Sequence, residues 1–535
     1  MTIICYNYYI DFGDDIMAKS SRTKNSVRNL YTALIGQSIG FVISFIARIF
    51  FIKTLGKEYL GLNGLFTNIL TILSLAELGV GEAITYSLYK PLAEGDTRKC
   101  TMLMQFYKKV YNTIGLIILV VGVSLTPFLP LIIKTMPDVP YISLIYILFV
   151  VNTSVSYFFS YRRNLIIADQ KRYIATAIRY LAHIVFTFLE IVYLILFKNF
   201  IGYLVIMILA TLADNIMVSR KAIKMYPYLK SNEDIPLDSE SKKSIIKNTK
   251  AMMMHKVGGV VVNSTDNVLL SSFVSLEAVG LYSNYYFITN ALNSVSQHVF
   301  NSIVASVGNM FVLEDKNKQY SVFRNIYFLN FWMFCFISVC LLTLFNPFIE
   351  LWIGSDYLFP FEVVCIIVVN FYIYGMRKSV LTFREASGLF YKDRWKSVFE
   401  AIINLVSSII LAIWLGTFGV FLGTFISSVT VCLWVEPYIL YKYGFDKKLR
   451  DYFKLYLMYL VITILCTLGT YYLCSLITYG RWISFIIKCF ICLIIPNLII
   501  ILCFRNTEQY KYLKNILLRF AKKIFRRNKV NYEKS

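Results

Sequence analysis

Residues 48–96 read RIFFIKTLGKEYLGLNGLFTNILTILSLAELGVGEAITYSLYKPLAEGD. The stretch leaves one apolar segment, turns through Gly56 to Gly61, and runs down a second. Inside this apolar context it carries Arg48, Glu77 and Glu82. An ionisable group in hydrocarbon costs about 2.5–3.5 kcal/mol on insertion scales, so each of the three marks a candidate functional position. Parts of the pattern return once along the chain, at a nearly constant offset.

Composition sets the class. Over 535 residues the chain is 57% hydrophobic and only 16% charged, which is the profile of an all-α polytopic membrane protein. Fourteen apolar segments are long enough to span. Six lie near 29–52, 60–89, 110–133, 141–161, 174–197 and 200–219. Six more lie near 251–274, 280–310, 325–349, 361–383, 397–415 and 418–440, and a final pair near 455–475 and 482–504. The expected organisation is a cytoplasmic segment 1–28, an N-lobe 29–219, a linker 220–250, a C-lobe 251–441, a last pair of spans within 442–504, and a tail 505–535. The linker is flexible by composition. In the tail, Leu513, Ile516, Leu517, Phe520 and Ile524 share one helical face against Lys and Arg on the other, as in a basic helix lying on the inner leaflet. Residues 1–16 lack the features of a signal peptide and read as an upstream extension of the reading frame, with Met17 opening a more ordinary start.

The charges orient the spans. With the N-terminus cytoplasmic, 45 of the 54 Lys and Arg fall on the inner side and 5 on the outer. The net charge of +23 is therefore a topology signal and an attraction to anionic membrane lipids, not a nucleic-acid signal. All outer turns are short, which argues against an enzyme with catalytic groups on a large outer loop. Eleven Cys are scattered through apolar runs and read as small buried hydrophobes. None of the three His has a metal-ligand partner at useful spacing, and no phosphate-cradling Gly-rich loop is present. No metal or cofactor is expected.

At an offset of 219, Glu58, Gly61 and Leu62 fall on Glu277, Gly280 and Leu281, and Asp96 and Lys99 fall on Asp315 and Lys318. At 220, Pro127 and Phe128 fall on Pro347 and Phe348; at 222, Arg162 and Arg172 fall on Arg384 and Arg394. Six spans separate the copies, so both halves insert in the same direction: a parallel repeat, of the kind many transporters use.

Several polar positions inside spans are candidate site residues. Arg48 and Asp266 sit at matching depth on opposite halves, either as an outer gate or with Arg48 snorkelling to the surface. Glu77 and Glu82 flank Gly79 and Gly81, which weaken the helix and permit a bend. His255 and Lys256 lie just before Gly258 and Gly259. Opposite charges at similar depth suggest an inner gate or a coupling-ion site. Arg179, His183 and Glu190 share a helical face and read as a polar seam inside one half or as substrate contacts. Gln297, His298 and Asn301 fall near the repeat equivalents of Glu77 and Glu82 and are cavity candidates. Asp214, Glu400, Glu436 and Lys488 read as structural. Tyr282, Tyr285 and Tyr286 are candidates for stacking on sugar rings.

The segment 56–96, with VNSTDNVLLSSFVSLEAVGLYSNYYFI (262–288) and FYIYGMRKSVLTFREASGLFYKDRWKSVFEAIINL (371–405), resembles bacterial polysaccharide repeat-unit flippases. These form the polysaccharide-transporter branch of the multidrug/oligosaccharidyl-lipid/polysaccharide exporter superfamily. The resemblance covers about residues 20–445. It implies two six-helix lobes, as in the multidrug (MATE) exporters, plus two additional helices. It implies alternating access and an undecaprenyl-diphosphate-linked oligosaccharide as substrate, moved from the inner to the outer leaflet of the cytoplasmic membrane. Further partners would be other polysaccharide-assembly proteins. In this reading Arg48, Lys256 and Arg179 meet the headgroup, and Glu77, Glu82 and Asp266 are counter-charges or ligands for a coupling ion, H+ or Na+. The alternative within the superfamily is a cation-coupled small-molecule exporter; a third class, a membrane-embedded glycosyltransferase, would need outer-loop carboxylates, of which Glu350, Asp356 and Glu362 are the few available.

Overall fold

The computed structural model describes residues 16–77, 79–230, 236–243, 245, 246, 249, 264–389, 392, 395–516 and 518. Every regular element among them is helical. The chain forms two compact units. The first takes the described residues up to Ser283, with Ala412–Thr417; the second takes Asn284–Leu411 and the described residues from Phe418 on.

The first unit contains α1 (Ile16–Leu55), α2 (Lys57–Leu73), α3 (Val80–Glu94), α4 (Thr97–Ser124), α5 (Ile142–Ala168), α6 (Arg172–Phe197) and α7 (Phe200–Met225). It ends inside α8 (Leu276–Asn301). Within it α1 lies along α6, α4 along α5, and α5 along α7. The second unit continues with α9 (Val304–Leu313), α10 (Lys316–Ile353), α11 (Phe361–Ala386), α12 (Lys396–Ser427), α13 (Leu433–Ile439), α14 (Leu449–Ser475) and α15 (Arg481–Phe504). Its α10 packs against α11, α14 and α15. Aromatic rings fill that junction: Phe331 stacks on Tyr459 at 4.1 Å between centroids, and Trp332 donates to Asn497 at 2.7 Å.

Among the described residues, ten helices are long and apolar enough to cross a membrane. The other expected spans are accounted for locally. A 50-residue helical run, Lys396–Phe445, is one of the ten. At about 1.5 Å per residue it would be more than twice as long as the hydrocarbon core of a bilayer is thick. It folds back at Gly416, where φ is 58° and ψ −133°. Around that glycine the Ser408 hydroxyl donates to the Val420 carbonyl at 3.0 Å, and Asn404 donates to Thr424 at 3.0 Å. The expected spans 397–415 and 418–440 are the two arms of this hairpin. The expected span 280–310 is interrupted at Ser302 and Ile303, between α8 and α9. The expected span 251–274 lies largely outside the described residues, as do His255 and Lys256.

The second span is also broken. After α2 comes a 3-10 turn, Ser74–Glu77, and then Gly79 at φ 80° caps α3. A left-handed backbone of this kind is open to glycine at no steric cost. The break places Glu77 at a helix end, deep in the unit.

The repeat is visible as geometry. Asp96 caps α4 by accepting from the Lys99 N–H at 2.8 Å, and Asp315 caps α10 by accepting from the Lys318 N–H at 3.0 Å. The repeated glycines face each other. A Cβ on Gly61 would overlap the Leu276 carbonyl oxygen, and one on Gly280 would overlap the Lys57 carbonyl oxygen. The starts of α2 and α8 therefore cross at backbone distance, with a Lys57–Glu277 ion pair at the same crossing. Small residues that let backbones meet are a general means of helix association in lipid.

The segment after α7 is anchored in part. Asp238 pairs with Lys99 and accepts from the Ser241 N–H at 2.9 Å. The Lys99 ammonium holds the Asp238 carboxyl well below the usual carboxylate range. Leu237 and the buried Ile245 pack into the aromatic and aliphatic cluster around Tyr226 and Tyr107. Composition alone marks this segment as a linker because its two anchoring side chains are outnumbered by polar ones. Of the tail, Leu513 and Ile516 are half-buried, and the rest of the expected apolar face lies outside the described residues.

The second unit holds a buried ion cluster. Arg377 on α11 grips Glu436 on α13 with both arms of its guanidinium, at 2.9 and 2.7 Å. Lys396 reaches the same carboxylate at 2.5 Å, and Glu400 lies 3.5 Å from Arg377 and 3.6 Å from Lys396. Glu436 is 0% exposed. Two positive and two negative groups balance, which is the condition under which buried charge is tolerated. Arg377 and Lys378 fall within the cytoplasmic share of the charge tally, yet both are buried in the unit.

Two outcomes follow from this packing. Gly61→Val and Gly280→Val each force a branched side chain against a carbonyl, and should destabilise by roughly 1–3 kcal/mol, read as a lower melting temperature in detergent. Glu436→Gln leaves Arg377 and Lys396 with only Glu400, and should cost roughly 3–5 kcal/mol; the double change Arg377→Met with Glu436→Met restores charge balance and should melt higher than Glu436→Gln alone.

Candidate functional site: a polar cavity in the first unit

Five helices of the first unit, α3 to α7, together with the Ser74–Glu77 turn, enclose a cavity of about 1130 Å³. The break in the second span opens one wall. Glu77 lines the cavity and accepts from the Tyr111 hydroxyl at 2.8 Å, while Asn164 on α5 donates to the same hydroxyl at 3.3 Å. A Cβ at Gly81 would press on the Tyr111 hydroxyl, so the glycine leaves room for that group beside Glu77. Tyr107 braces the break from below by donating to the Gly81 carbonyl at 2.5 Å.

The opposite wall is α6. Arg172, Arg179, His183 and Glu190 all line the cavity, and their spacings of seven, four and seven place them on one helical face. Both ring nitrogens of His183 have hydroxyl neighbours, Ser44 at 3.2 Å and Thr187 at 3.3 Å, which hold the imidazole in place. Glu190 is buried, whereas Arg172 and Arg179 are exposed to the cavity. Among the described residues neither arginine has an acidic partner. A third arginine differs: Arg163 on α5 donates to Asp214 on α7 at 2.6 Å, and both line the cavity. In low dielectric a charge-assisted bond of this kind is strong and fixes both groups.

Glu77 and Arg179 are thus brought to one cavity. The stripe Arg179, His183 and Glu190, open in sequence between a seam and a contact surface, is cavity wall. Asp214, read as structural, is both an ion-pair partner and a lining residue. Arg48 does not line this cavity; it donates to the Ser283 hydroxyl at 2.6 Å, beside the α2–α8 crossing. Asp266 is buried in the same unit. The Glu82 side chain lies outside the described part, as do His255 and Lys256. Gln297, His298 and Asn301 belong to the second unit, where Gln297 donates to Asn301 at 2.7 Å and accepts from the buried Lys378 at 2.5 Å. Tyr285 is no stacking surface: it is fully buried, donates to Asn346 at 2.6 Å and accepts from the Phe359 N–H at 2.9 Å. Arg163, Arg172 and Asn164 are lining residues that sequence reasoning missed. The seven-residue spacing from Arg172 to Arg179 was a usable signal. The Arg163–Asp214 pair, 51 residues apart, left none.

The family model described as "Polysaccharide biosynthesis protein" matches residues 26–307. A comparison with curated proteins returned no match. Among solved structures, the fold is similar to that of the lipid II flippase MurJ in an inward closed conformation, with a TM-score of 0.64, 15% identity, and coverage of 89% of this chain and 99% of that one. It is also similar to an inward-facing multidrug resistance MATE family transporter of the MOP superfamily, with a TM-score of 0.61, 14% identity, and coverage of 77% and 99%. A mutant form of the Vibrio cholerae MATE transporter VcmN aligns with a TM-score of 0.55, 16% identity, and coverage of 80% and 98%. At these identities the likeness is one of fold.

Proposed function

The chain belongs to the polysaccharide biosynthesis protein family, and on that premise we propose that it is a flippase for an undecaprenyl-diphosphate-linked oligosaccharide. The substrate moves from the inner to the outer leaflet of the cytoplasmic membrane by alternating access, to feed polysaccharide assembly at the cell surface. The protein acts as a transporter, not an enzyme, and its partners are the lipid-linked sugar, membrane lipids and other assembly proteins. The excess of Lys and Arg on alternate loops supports cytoplasmic N- and C-termini.

One observation carries the headgroup assignment. Arg172 and Arg179 line a polar cavity from one face of α6 with no acidic partner among the described residues. A guanidinium presents paired donors that match phosphate oxygens, and a diphosphate offers oxygens to both. Arg163 is a poorer candidate because Asp214 already holds it. Glu77, fixed by Tyr111 at a helix break, is the group best placed to take a coupling H+ or Na+, with Asp266 a second candidate.

Complementation of surface-polysaccharide export tests this. Arg172→Ala and Arg179→Ala should each lower export about tenfold at matched protein levels, as expected for loss of a charge-assisted bond. Wild-type export by both variants sinks the assignment. A cation exporter of the same superfamily, favoured by the cavity carboxylate Glu77, predicts the reverse: drug efflux impaired by Glu77→Gln and untouched by the arginine changes.

A further inference from the structure

Five tyrosines line the cavity of the first unit: Tyr86, Tyr89, Tyr111, Tyr157 and Tyr203. Three are used up in packing. Tyr111 and Tyr157 are buried against each other, and Tyr203 stands edge-on to Phe51. Tyr86 and Tyr89 are different. They are 66% and 50% exposed, although both belong to the cavity wall. They lie three residues apart on α3, with ring centroids 6.2 Å apart and planes at 79°. One ring meets the other edge-on, an arrangement that leaves ring faces uncovered.

Uncovered aromatic faces in a polar cavity suit two kinds of ligand. An organic cation would be attracted by the ring quadrupole. Here Arg163, Arg172 and Arg179 line the cavity together with Glu77, Glu190 and Asp214, so the wall has no excess of negative charge to draw a cation in. A neutral ring with an apolar C–H face and a hydroxylated rim needs none. Its C–H face covers an aromatic ring, and its hydroxyls find planar donors and acceptors in the Arg163–Asp214 pair and in Asn164. That ring is a pyranose.

We propose that Tyr86 and Tyr89 form a stacking platform for a sugar of the lipid-linked substrate, with Arg163, Asp214 and Asn164 bonding its hydroxyls. This rests on the flippase reading, and it divides the cavity: the diphosphate on α6, the sugar on α3 and α5. Ring-face stacking reads the pyranose rather than its substituents, so the platform accepts more than one sugar.

Binding to the purified full chain in lipid nanodiscs tests the division. The probes are undecaprenyl diphosphate, undecaprenyl diphosphate–N-acetylglucosamine and undecaprenyl diphosphate–galactose. In the wild type at least one sugar-bearing probe should bind about tenfold more tightly than the bare lipid. Tyr86→Ala with Tyr89→Ala should erase that gain and leave affinity for the bare lipid unchanged, while Tyr86→Phe with Tyr89→Phe should keep it. The platform is overturned if neither sugar improves binding to the wild type, or if the gain survives the alanine pair. The headgroup assignment is read separately, from the bare lipid: if Arg172→Ala with Arg179→Ala binds it as the wild type does, that assignment fails, whatever the tyrosines do.

Discussion

The first unit depends on the crossing of α2 and α8 at Gly61 and Gly280. Each glycine lies where a Cβ would strike the other helix's backbone, against Leu276 and Lys57. In hydrocarbon, apolar side chains gain little by leaving lipid for one another, so helices associate by close backbone contact and by polar links. Both are present here. The Lys57–Glu277 pair and the Arg48–Ser283 bond flank the glycines on the same two helices and their neighbour α1. With its start fixed in this way, α2 descends as a straight helix to Leu73. The break is taken by the Ser74–Glu77 turn and by Gly79, where a glycine adopts positive φ at no steric cost. A carboxylate at that end, Glu77, faces the cavity rather than lipid.

The two units handle buried charge in opposite ways. In the second, Arg377, Lys396, Glu400 and Glu436 neutralise one another with almost no exposure. Such a cluster is costly to open, because removing one member strands another in low dielectric. It fixes α11, α12 and α13 together. In the first, Arg172 and Arg179 have no acidic partner among the described residues and are exposed in the cavity. A guanidinium that stays hydrated needs no partner to be stable. It is therefore free to exchange water for a ligand's oxygens, which the Arg377 guanidinium is not.

Most of the architecture was legible in the sequence, because it follows from one-dimensional quantities. Hydropathy gives span lengths, and the alternation of Lys and Arg gives their direction. Glycines at 61 and 79 mark a contact and a break. The repeated Asp-x-x-Lys at 96–99 and 315–318 is the same helix cap twice. The site was legible at Glu77, a charge beside glycines in an apolar span, and where residues share one helical face, as Arg179, His183 and Glu190 do. Pairs that join different helices were not, since no periodicity links Arg163 to Asp214 or Arg377 to Glu436. Arg377 did carry a signal, since it falls inside the apolar segment 361–383, but the charge tally counts it with the inner loop that follows. Tyr86 and Tyr89 carried none, because exposure in a cavity and exposure to lipid look alike along the chain.

The repeat itself shows how one half acquired a site. The fourth span of each half bonds to the sixth through an arginine and a carboxylate: Arg163 with Asp214, and Arg377 with Glu436. At the offset of 222 the carboxylates coincide, but the arginines do not; Arg163 corresponds to Glu385 and Arg377 to Val155. At the same offset the stripe on α6 is repeated only at Arg172, which falls on Arg394; Arg179, His183 and Glu190 fall on Ala401, Leu405 and Ala412. There the fifth span places Lys396 and Glu400 beside the Arg377–Glu436 pair instead, and the four charges are buried together. With arginine and histidine in those places α6 turns a polar face to the cavity, and the same kind of pair becomes a wall of it. The difference between a strut and a binding site is thus carried by the neighbouring helix, not by the ion pair.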